Sequence, residues 1–394
     1  MSNKEQRKAP ILRFKGYTDD WEQRKLKELA VFNPKGKLPE EFEYVDLESV
    51  VGTEMISHKK TILGDAPSRA QRLAKKGDIF YQTVRPYQKN DYLFDIKAEN
   101  YVFSTGYAQI RPKIDGNFLF QLIRTEKFVK TVLNNCTGTS YPAINSKDLA
   151  NMIVTYTSCK KEQKKIGLLL NNLDNLITLQ QRKLNDLDKI QKMLEDSLFP
   201  NTKNIRKLKF TQDNWQVRKL KDIFNERNIH NQDEQLLSVS ISKGIYPFNS
   251  SDRKDNSSSN KSNYKLVEKG DIAYNSMRMW QGACGVSDYK GIVSPAYTVI
   301  TPHREENARF YFYYFKNNRM KFEFRRHSQG LTSDTWNLKF PLFKNISIET
   351  PNNENEQIKI SQILNTLNKT MNYNRNRINK LNLFKKFLLQ KMFI

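Results

Sequence analysis

Apolar residues recur at heptad spacing along one stretch of the chain, from about Lys161 to Leu198. With Ile166 as position a, that column reads Ile166, Leu173, Gln180, Leu187 and Leu194. The d column supplies Leu169, Leu176 and Ile190, interrupted by Lys183 and Ser197, and the adjoining e column adds Leu170, Ile177, Leu184 and Leu198. A stripe this broad predicts a long amphipathic helix able to pack on more than one neighbour. The same pattern returns near residue 394, with Ile360, Leu367, Asn374, Leu381 and Leu388 at a, and Leu364, Met371 and Ile378 at e. Asn353, three residues before Glu356, reads as the start of this second helix. Both stripes carry a polar amide, Gln180 or Asn374, at the same central a position. Such an amide either fixes register and partner in a buried seam or is exposed where two helices diverge.

Each helix follows a mixed segment of about 150 residues, in which short β-branched and aromatic runs are broken by Gly, Pro, Asn and Ser. The two halves are one unit written twice. DDWEQRKLKELA at 19–30 returns as DNWQVRKLKDIF at 213–224, and KGDIFYQTVRP at 76–86 returns as KGDIAYNSMRM at 269–279. These align Trp21 with Trp215, Asp78 with Asp271 and Arg85 with Arg278. Tyr107 and Pro112 match Tyr297 and Pro302. Asn145 matches Asn337, and Glu162-Gln163 matches Glu356-Gln357. Residues kept between the copies, Trp21/Trp215, Asp78/Asp271 and Asn145/Asn337 among them, are expected to serve the common fold.

The expected architecture is α+β: two similar α/β segments separated by two long helices. A helix of that length spans roughly 57 Å at about 1.5 Å per residue, and two in one chain most simply pair with each other. Because the second copy begins where the first helix ends, after the linker FPNTKNIRKLKF at 199–210, antiparallel pairing is favoured. That would place the heads at opposite ends of a dumbbell, related by a pseudo-two-fold axis.

Composition gives this architecture a partner. Lys and Arg outnumber Asp and Glu by 66 to 42, a net charge of +24, and nucleic acid is the first polyanion such a surface would attract. No signal-peptide pattern opens the chain and no run of about 18 apolar residues could span a bilayer. Three scattered cysteines, Cys136, Cys159 and Cys284, fit a reducing cytoplasm rather than a disulfide framework. None of the four histidines stands at metal-ligand spacing, so no metal is expected in the chain.

The candidate readers are polar loops beside the repeated motifs. In the first head YQTVRPYQKN combines Gln82, Arg85, Tyr87, Gln88, Lys89 and Asn90, and TGTSYP adds Thr139, Ser140 and Tyr141. Arg, Gln and Asn present paired groups that match guanine and adenine edges in the major groove. Lys59, Lys60, Arg69 and Arg72 suit phosphates. In the second head the counterparts are Asn275, Arg278, Trp280 and Gln281, with Gln329, Thr332 and Ser333 in QGLTSDTW. Lys243, Tyr246, Arg253, Lys254 and Lys261 lie in or beside a Ser- and Asn-rich loop. The two loop sets share little beyond the arginine and an opening polar residue. Different readers imply an asymmetric, interrupted target.

Signatures of catalysis are absent from the sequence. There is no G-x-x-x-x-G-K-[ST] phosphate loop, no G-x-G-x-x-G cofactor loop and no zinc-deaminase signature. The Asn/Asp-Pro-Pro-aromatic tetrapeptide with which an adenine methyltransferase holds a flipped base is also missing. A self-contained nuclease or methyltransferase is therefore disfavoured, and catalytic residues and cofactors are expected in partner subunits. A basic coiled-coil scaffold that binds nucleic acid without sequence preference is the alternative, but it leaves two divergent reading heads without a purpose.

Three local patterns make the resemblance specific: Lys-Gly-Asp-Ile at 76–79 and 269–272, GTSYPAINSKDL at 138–149, and Glu-Gln-x-Lys-Ile opening a leucine-rich helix at 162–166. Over residues 10–394 the chain resembles the specificity subunits of Type I restriction–modification systems. The resemblance implies two target recognition domains at about 1–157 and 201–352, with spacer helices at 158–200 and 353–394. Each domain would read one half of a bipartite site in double-stranded DNA. The helices would dock two adenine-N6 methyltransferase subunits, and motor-nuclease restriction subunits would join them. The cofactors S-adenosylmethionine, ATP and magnesium would belong to those partners.

Overall fold

A computed structural model describes residues 9–199, 215–241, 244–250 and 260–394. The chain forms two compact units, residues 1–184 with 374–394, and residues 185–373. Each contains one head, the adjoining half of its own long helix and the far half of the other helix.

In the first unit two four-stranded sheets pack together. One runs in the order Ala30–Phe32, Tyr107–Pro112, Ile79–Gln82, Tyr92–Leu93, antiparallel throughout. The other runs Lys59–Ile62, Glu41–Val45, Tyr101–Ser104, Ala70–Leu73, with its central pair parallel. Phe80 and Phe103 stack at 3.6 Å between them, enclosed by Val45, Phe94 and Tyr107. Ile79–Gln82 is buried at every position, as a strand covered on both faces must be. The second unit keeps the first sheet as Phe224–Glu226, Tyr297–Pro302, Ile272–Asn275, Cys284–Val286. Its remaining described strands form two-stranded pieces, Gln216–Lys219 with Ser347–Thr350, Leu237–Ser240 with Gly244–Pro247, and Lys265–Val267 with Gly291–Val293.

Side chains repeated in the sequence hold the frame. The Asp78 carboxylate closes the Lys-Gly-Asp turn by accepting from Lys75 N and takes both arms of Arg111; Asp271 does the same with Glu268 N and Arg227. Helix starts are capped by short polar side chains, Asp115 and Thr125 in the first head and Asn307 and Asn317 in the second. Asn145 likewise caps Ser146–Asn151, whereas its counterpart Asn337 pairs with Gln329 through the backbone.

The Glu-Gln motif joins each long helix to its head. Gln163 Oε1 accepts from Asp115 N and its Nε2 donates to Thr157 O; Gln357 Oε1 accepts from Asn307 N and its Nε2 donates to Pro351 O. The buried Glu162 receives Arg13, and Glu356 receives the indole of Trp215. A Cβ on Gly167 would stand 2.6 Å from Phe118 N, so only glycine lets the first long helix lie this close to the head.

The long helices are Lys160–Leu198 and Glu354–Met392, 39 residues each, and they run antiparallel. In the first unit Ile166, Leu170 and Leu173 share a core with Leu388 and Met392; in the second, Leu198 shares one with Ile360 and Leu364. Alternating steps of three and four residues carry the seam along the a and e columns, through Ile166, Leu170, Leu173, Ile177, Gln180 and Leu184 in one helix. Leu367, Asn374, Leu381 and Leu388 occupy the matching places in the other, and Leu187 and Leu194 continue the first helix in the second unit. Leu169 and Leu176 of the d column, expected to pair the helices, stand at the side of this seam instead. Leu169 is 36% exposed and Ile190 45% exposed, and Leu176 is only partly covered, because d points about 100° round the helix from e, off the side of a seam that already alternates between a and e. Asn374 is fully within the seam at 2% exposure, while Gln180 is half-buried with an unpartnered Oε1.

Candidate nucleic-acid interface

In each head a central strand of the first sheet runs straight into the candidate reading loop. Ile79–Gln82 ends at Thr83, whose hydroxyl donates to Gly106 O and whose carbonyl accepts from Ile144 N. Ile272–Asn275 ends at Ser276, whose hydroxyl donates to Ala296 O and whose carbonyl accepts from Leu338 N. This one junction brings the loop after the strand to the polar turn that the sequence reading placed separately. In the first head Arg85 N donates to Pro142 O, Val84 bridges Ala143, and the Arg85 guanidinium lies 4.3 Å from the centre of the Tyr141 ring. In the second, Gln329 bridges Asn337 and Arg278 stands 3.7 Å from Asp334. Trp280 meets Trp336 edge to face at 5.2 Å, and Arg325 lies 5.0 Å over the Trp336 ring.

The loops differ in backbone as well as in side chains. Arg85 and Lys89 both adopt left-handed conformations, φ 55° and 54°, around the short turn Pro86–Gln88. Non-glycine residues hold that geometry only where surroundings enforce it. Arg278 has φ −127°, and the positive φ falls on Gly282 at the end of its turn.

Several expected readers turn outward. Tyr87 is 51% exposed and Tyr141 64% exposed, and Gln88, Thr139, Ser140, Gln329, Thr332 and Ser333 lie at the surface. Lys59, Lys60 and Arg69 are exposed too, with Lys60 paired to Glu41 at 2.8 Å and the other two available to phosphates. Lys261, Tyr246, Asn275, Trp280 and Gln281 are partly covered. Lys243, Arg253 and Lys254 lie outside the described residues.

Others are used internally, which corrects the expectation that they face DNA. Gln82 is 2% exposed, and its amide donates to Val84 O and Gln88 Oε1, so it shapes the loop from within. Asn90 Oδ1 accepts from Gly52 N, tying the loop to the hairpin Val50–Met55. Arg72 is half-buried, with Nε lacking a partner and its pKa drawn down by burial. Lys89 is not drawn inward in this way: it stays partly exposed in a surface ion pair with Glu126 at 3.1 Å.

Beneath the first loop lies a buried charged cluster that the sequence reading missed. Asp91 is fully buried. Its Oδ1 accepts from Gln82 N and its Oδ2 lies 3.5 Å from Arg124 Nε. Burial pushes its carboxyl up to about 6. Arg124 Nη2 donates to Lys89 O, and Nη1 lies 3.9 Å from Asp174 on the first long helix. Asp174 also accepts from Gln121 at 2.7 Å and pairs with Lys385 of the second long helix. Burial draws the Lys385 ammonium down to about 8. Beside it a cavity of about 370 Å³ is lined by Lys89, Arg124, Lys127, Lys386 and Phe393. Among the described residues there is no group of His, Cys, Asp and Glu that could hold a metal ion, and no helix long and apolar enough to cross a membrane.

Comparison with known proteins gives a consistent match. The family described as the Type I restriction modification DNA specificity domain matches residues 18–189 and again residues 212–383. The specificity subunit of the Type I restriction enzyme HindI from Haemophilus influenzae is 28% identical over 170 residues, covering 41% of this chain and 36% of that protein. The specificity subunit of the Type I restriction enzyme MjaVIII from Methanocaldococcus jannaschii is 30% identical over 98 residues, covering 25% of this chain and 23% of that protein. The chain therefore spans little over a third and under a quarter of these two relatives. In fold it is similar to the crystal structure of a Type I restriction-modification S subunit from M. genitalium, with a TM-score of 0.67 at 16% identity over 98% of this chain and 99% of that one.

Proposed function

Since the chain belongs to the Type I restriction modification DNA specificity domain family and carries that domain twice, we propose that it is the sequence-reading subunit of a Type I restriction–modification complex. Each head reads one half of an interrupted, asymmetric site in double-stranded DNA. The observation that carries this reading is the repeated junction at Thr83 and Ser276. The same frame presents an arginine loop against a polar turn in both heads, yet fills it with different chemistry, Arg85 on Tyr141 and Arg278 beside Asp334. Arginine is the residue best matched to guanine in the major groove. Exposed tyrosine and hydroxyl side chains around it supply contacts to sugar and phosphate.

The subunit itself performs no chemistry. Its long helices serve as spacer and docking surface, and their exposed apolar side chains suit that role: Leu168, Leu179, Leu383, Phe384 and Phe387 in the first unit, Ile190 and Met193 in the second. Two adenine-N6 methyltransferase subunits cover these faces, and motor-nuclease subunits complete the complex. S-adenosylmethionine, ATP and magnesium act in those partners.

The test is co-expression with the methyltransferase subunit of the host, followed by single-molecule mapping of N6-methyladenine. One bipartite motif that disappears when this chain is deleted is the expected result. Methylation unchanged by the deletion, or no motif at all, would leave a basic scaffold without sequence preference as the better description.

A further inference from the structure

The buried charged cluster joins three parts of the first unit that the reading function uses separately. At one end is the reading loop, whose two left-handed residues need support. Asp91 holds both ends of it, accepting from Gln82 N where the loop begins and following directly on Asn90 where it closes. Arg124 then binds Lys89 O and faces Asp91 on one side and Asp174 on the other. Asp174 belongs to the first long helix and Lys385 to the second. A second route runs parallel to the first. Asn90 accepts from Gly52 N, Asp91 N donates to Gly52 O, and Glu54 of the same hairpin pairs with Arg182 on the first long helix.

Among the described residues, the aligned positions of the second unit do not repeat this line of ion pairs, although Lys316 there has Glu195 of the first long helix as a charged neighbour. Strand register places Cys284 where Asp91 stands, since Tyr92 pairs with Phe80 as Gly285 pairs with Ala273. Counting from the capping residues Asp115 and Asn307 places Lys316 at the position of Arg124. The helix repeat places Asn368 at Asp174 and Gln191 at Lys385. Burying a chain of charges is a poor way to gain stability, and its best-attested use is to fix one arrangement among several.

We propose that Asp174 and Lys385, on the spacer helices, are positioning residues for the reading loop of the first head, so that recognition of the first half-site depends on how the two helices are paired while recognition of the second does not. The inference rests on the proposed reading function. A partner that shifts the helix pair therefore reaches one reader and spares the other.

The experiment uses the full complex with its methyltransferase subunits. Competition binding is measured on duplexes carrying single-base changes in either half-site, and the half relaxed by Arg85→Ala defines the first. Lys385→Met is compared with Asp174→Asn/Lys385→Gln, which imports the uncharged pair of the second unit. Discrimination in the first half is expected to fall about tenfold, the loss of one good base contact, with the second half unchanged within about twofold. Lys385→Arg should restore most of the loss. Equal losses in both halves would mark a general loss of structure and overturn the proposal, as would full discrimination in both variants. A wild-type complex with no bipartite motif would instead sink the reading function on which the proposal stands.

Discussion

Under corresponding loops the two units solve the same packing problem with different chemistry. The first unit places Asp91, Arg124, Asp174 and Lys385 in a line of alternating charge. The second has a neutral thiol at Cys284, which burial pushes up to about 11, and Lys316, whose Nζ donates to Ile241 O. Asn368 bonds to Tyr313, and Gln191 donates to Glu195. The first sheet, the caps of the two helices that follow it and the helix seam are otherwise repeated. The duplicated frame therefore does not require the charges, and what differs is the loop above them, with two left-handed non-glycine residues in one head and a glycine in the other.

The largest contrast should come from removing the central cation. Arg124→Met leaves Asp91 without its ion-pair partner in a fully buried site, a change expected to lower the stability of the first unit by about 3–5 kcal/mol. Lys316→Met in the second unit removes a side chain whose charge burial already disfavours, and should change stability by less than about 1 kcal/mol. Urea unfolding followed by hydrogen exchange, resolved by unit, measures both. Equal effects would mean that the two clusters are interchangeable.

Acidity separates the units next. Asp91 has a folded pKa of about 6, above its unfolded value of 3.8, so the native first unit binds more protons between those values. Its contribution to stability is fully present below about pH 3.8 and is lost as pH rises through about 6, a swing of about 3 kcal/mol. Lys385 is depressed from 10.5 to about 8, so its contribution is present above 10.5 and lost as pH falls through 8. Both signs leave the cluster least favourable between about pH 6 and 8. The stability of wild type relative to Asp91→Asn/Lys385→Gln should pass through a minimum there, and a flat difference would remove the electrostatic account.

Base reading should then divide by head. Arg85→Ala is expected to relax one half-site and Arg278→Ala the other, each by about 1–3 kcal/mol in competition binding. Uniform weakening on every sequence would make both arginines phosphate contacts. Tyr141→Ala, which removes the ring on which Arg85 rests, should produce a smaller loss confined to the half that Arg85 reads.

Duplication made much of this legible. It aligns Arg85 with Arg278 and both polar turns from the sequence alone, and the heptad stripe places the long helices within a residue or two. Three apolar columns could not say which two formed the seam, because the leucines at Leu168 and Leu169 belong to an exposed face that the same periodicity accommodates. Residue type misassigned Gln82 and Asn90, since an amide does not reveal whether its hydrogen bonds are already spent within the protein. The charged cluster was invisible for another reason. Its members come from a loop, the turn between two short helices and two long helices, and each alone reads as an ordinary surface charge.

The smallest expected effect concerns the amides shared by both helices. Gln180 leaves Oε1 buried without a partner, so Gln180→Leu should stabilise the seam of the first unit by about 1 kcal/mol. A buried amide is retained where it excludes other registers or partners, so the gain should come with looser pairing. Copies of the chain carrying Gln180→Leu should self-associate through their long helices where wild type does not, measured by sedimentation at matched concentration. If the variant is more stable and equally monodisperse, the amide plays no part in register, and Asn374, already enclosed in the seam, becomes the residue to change.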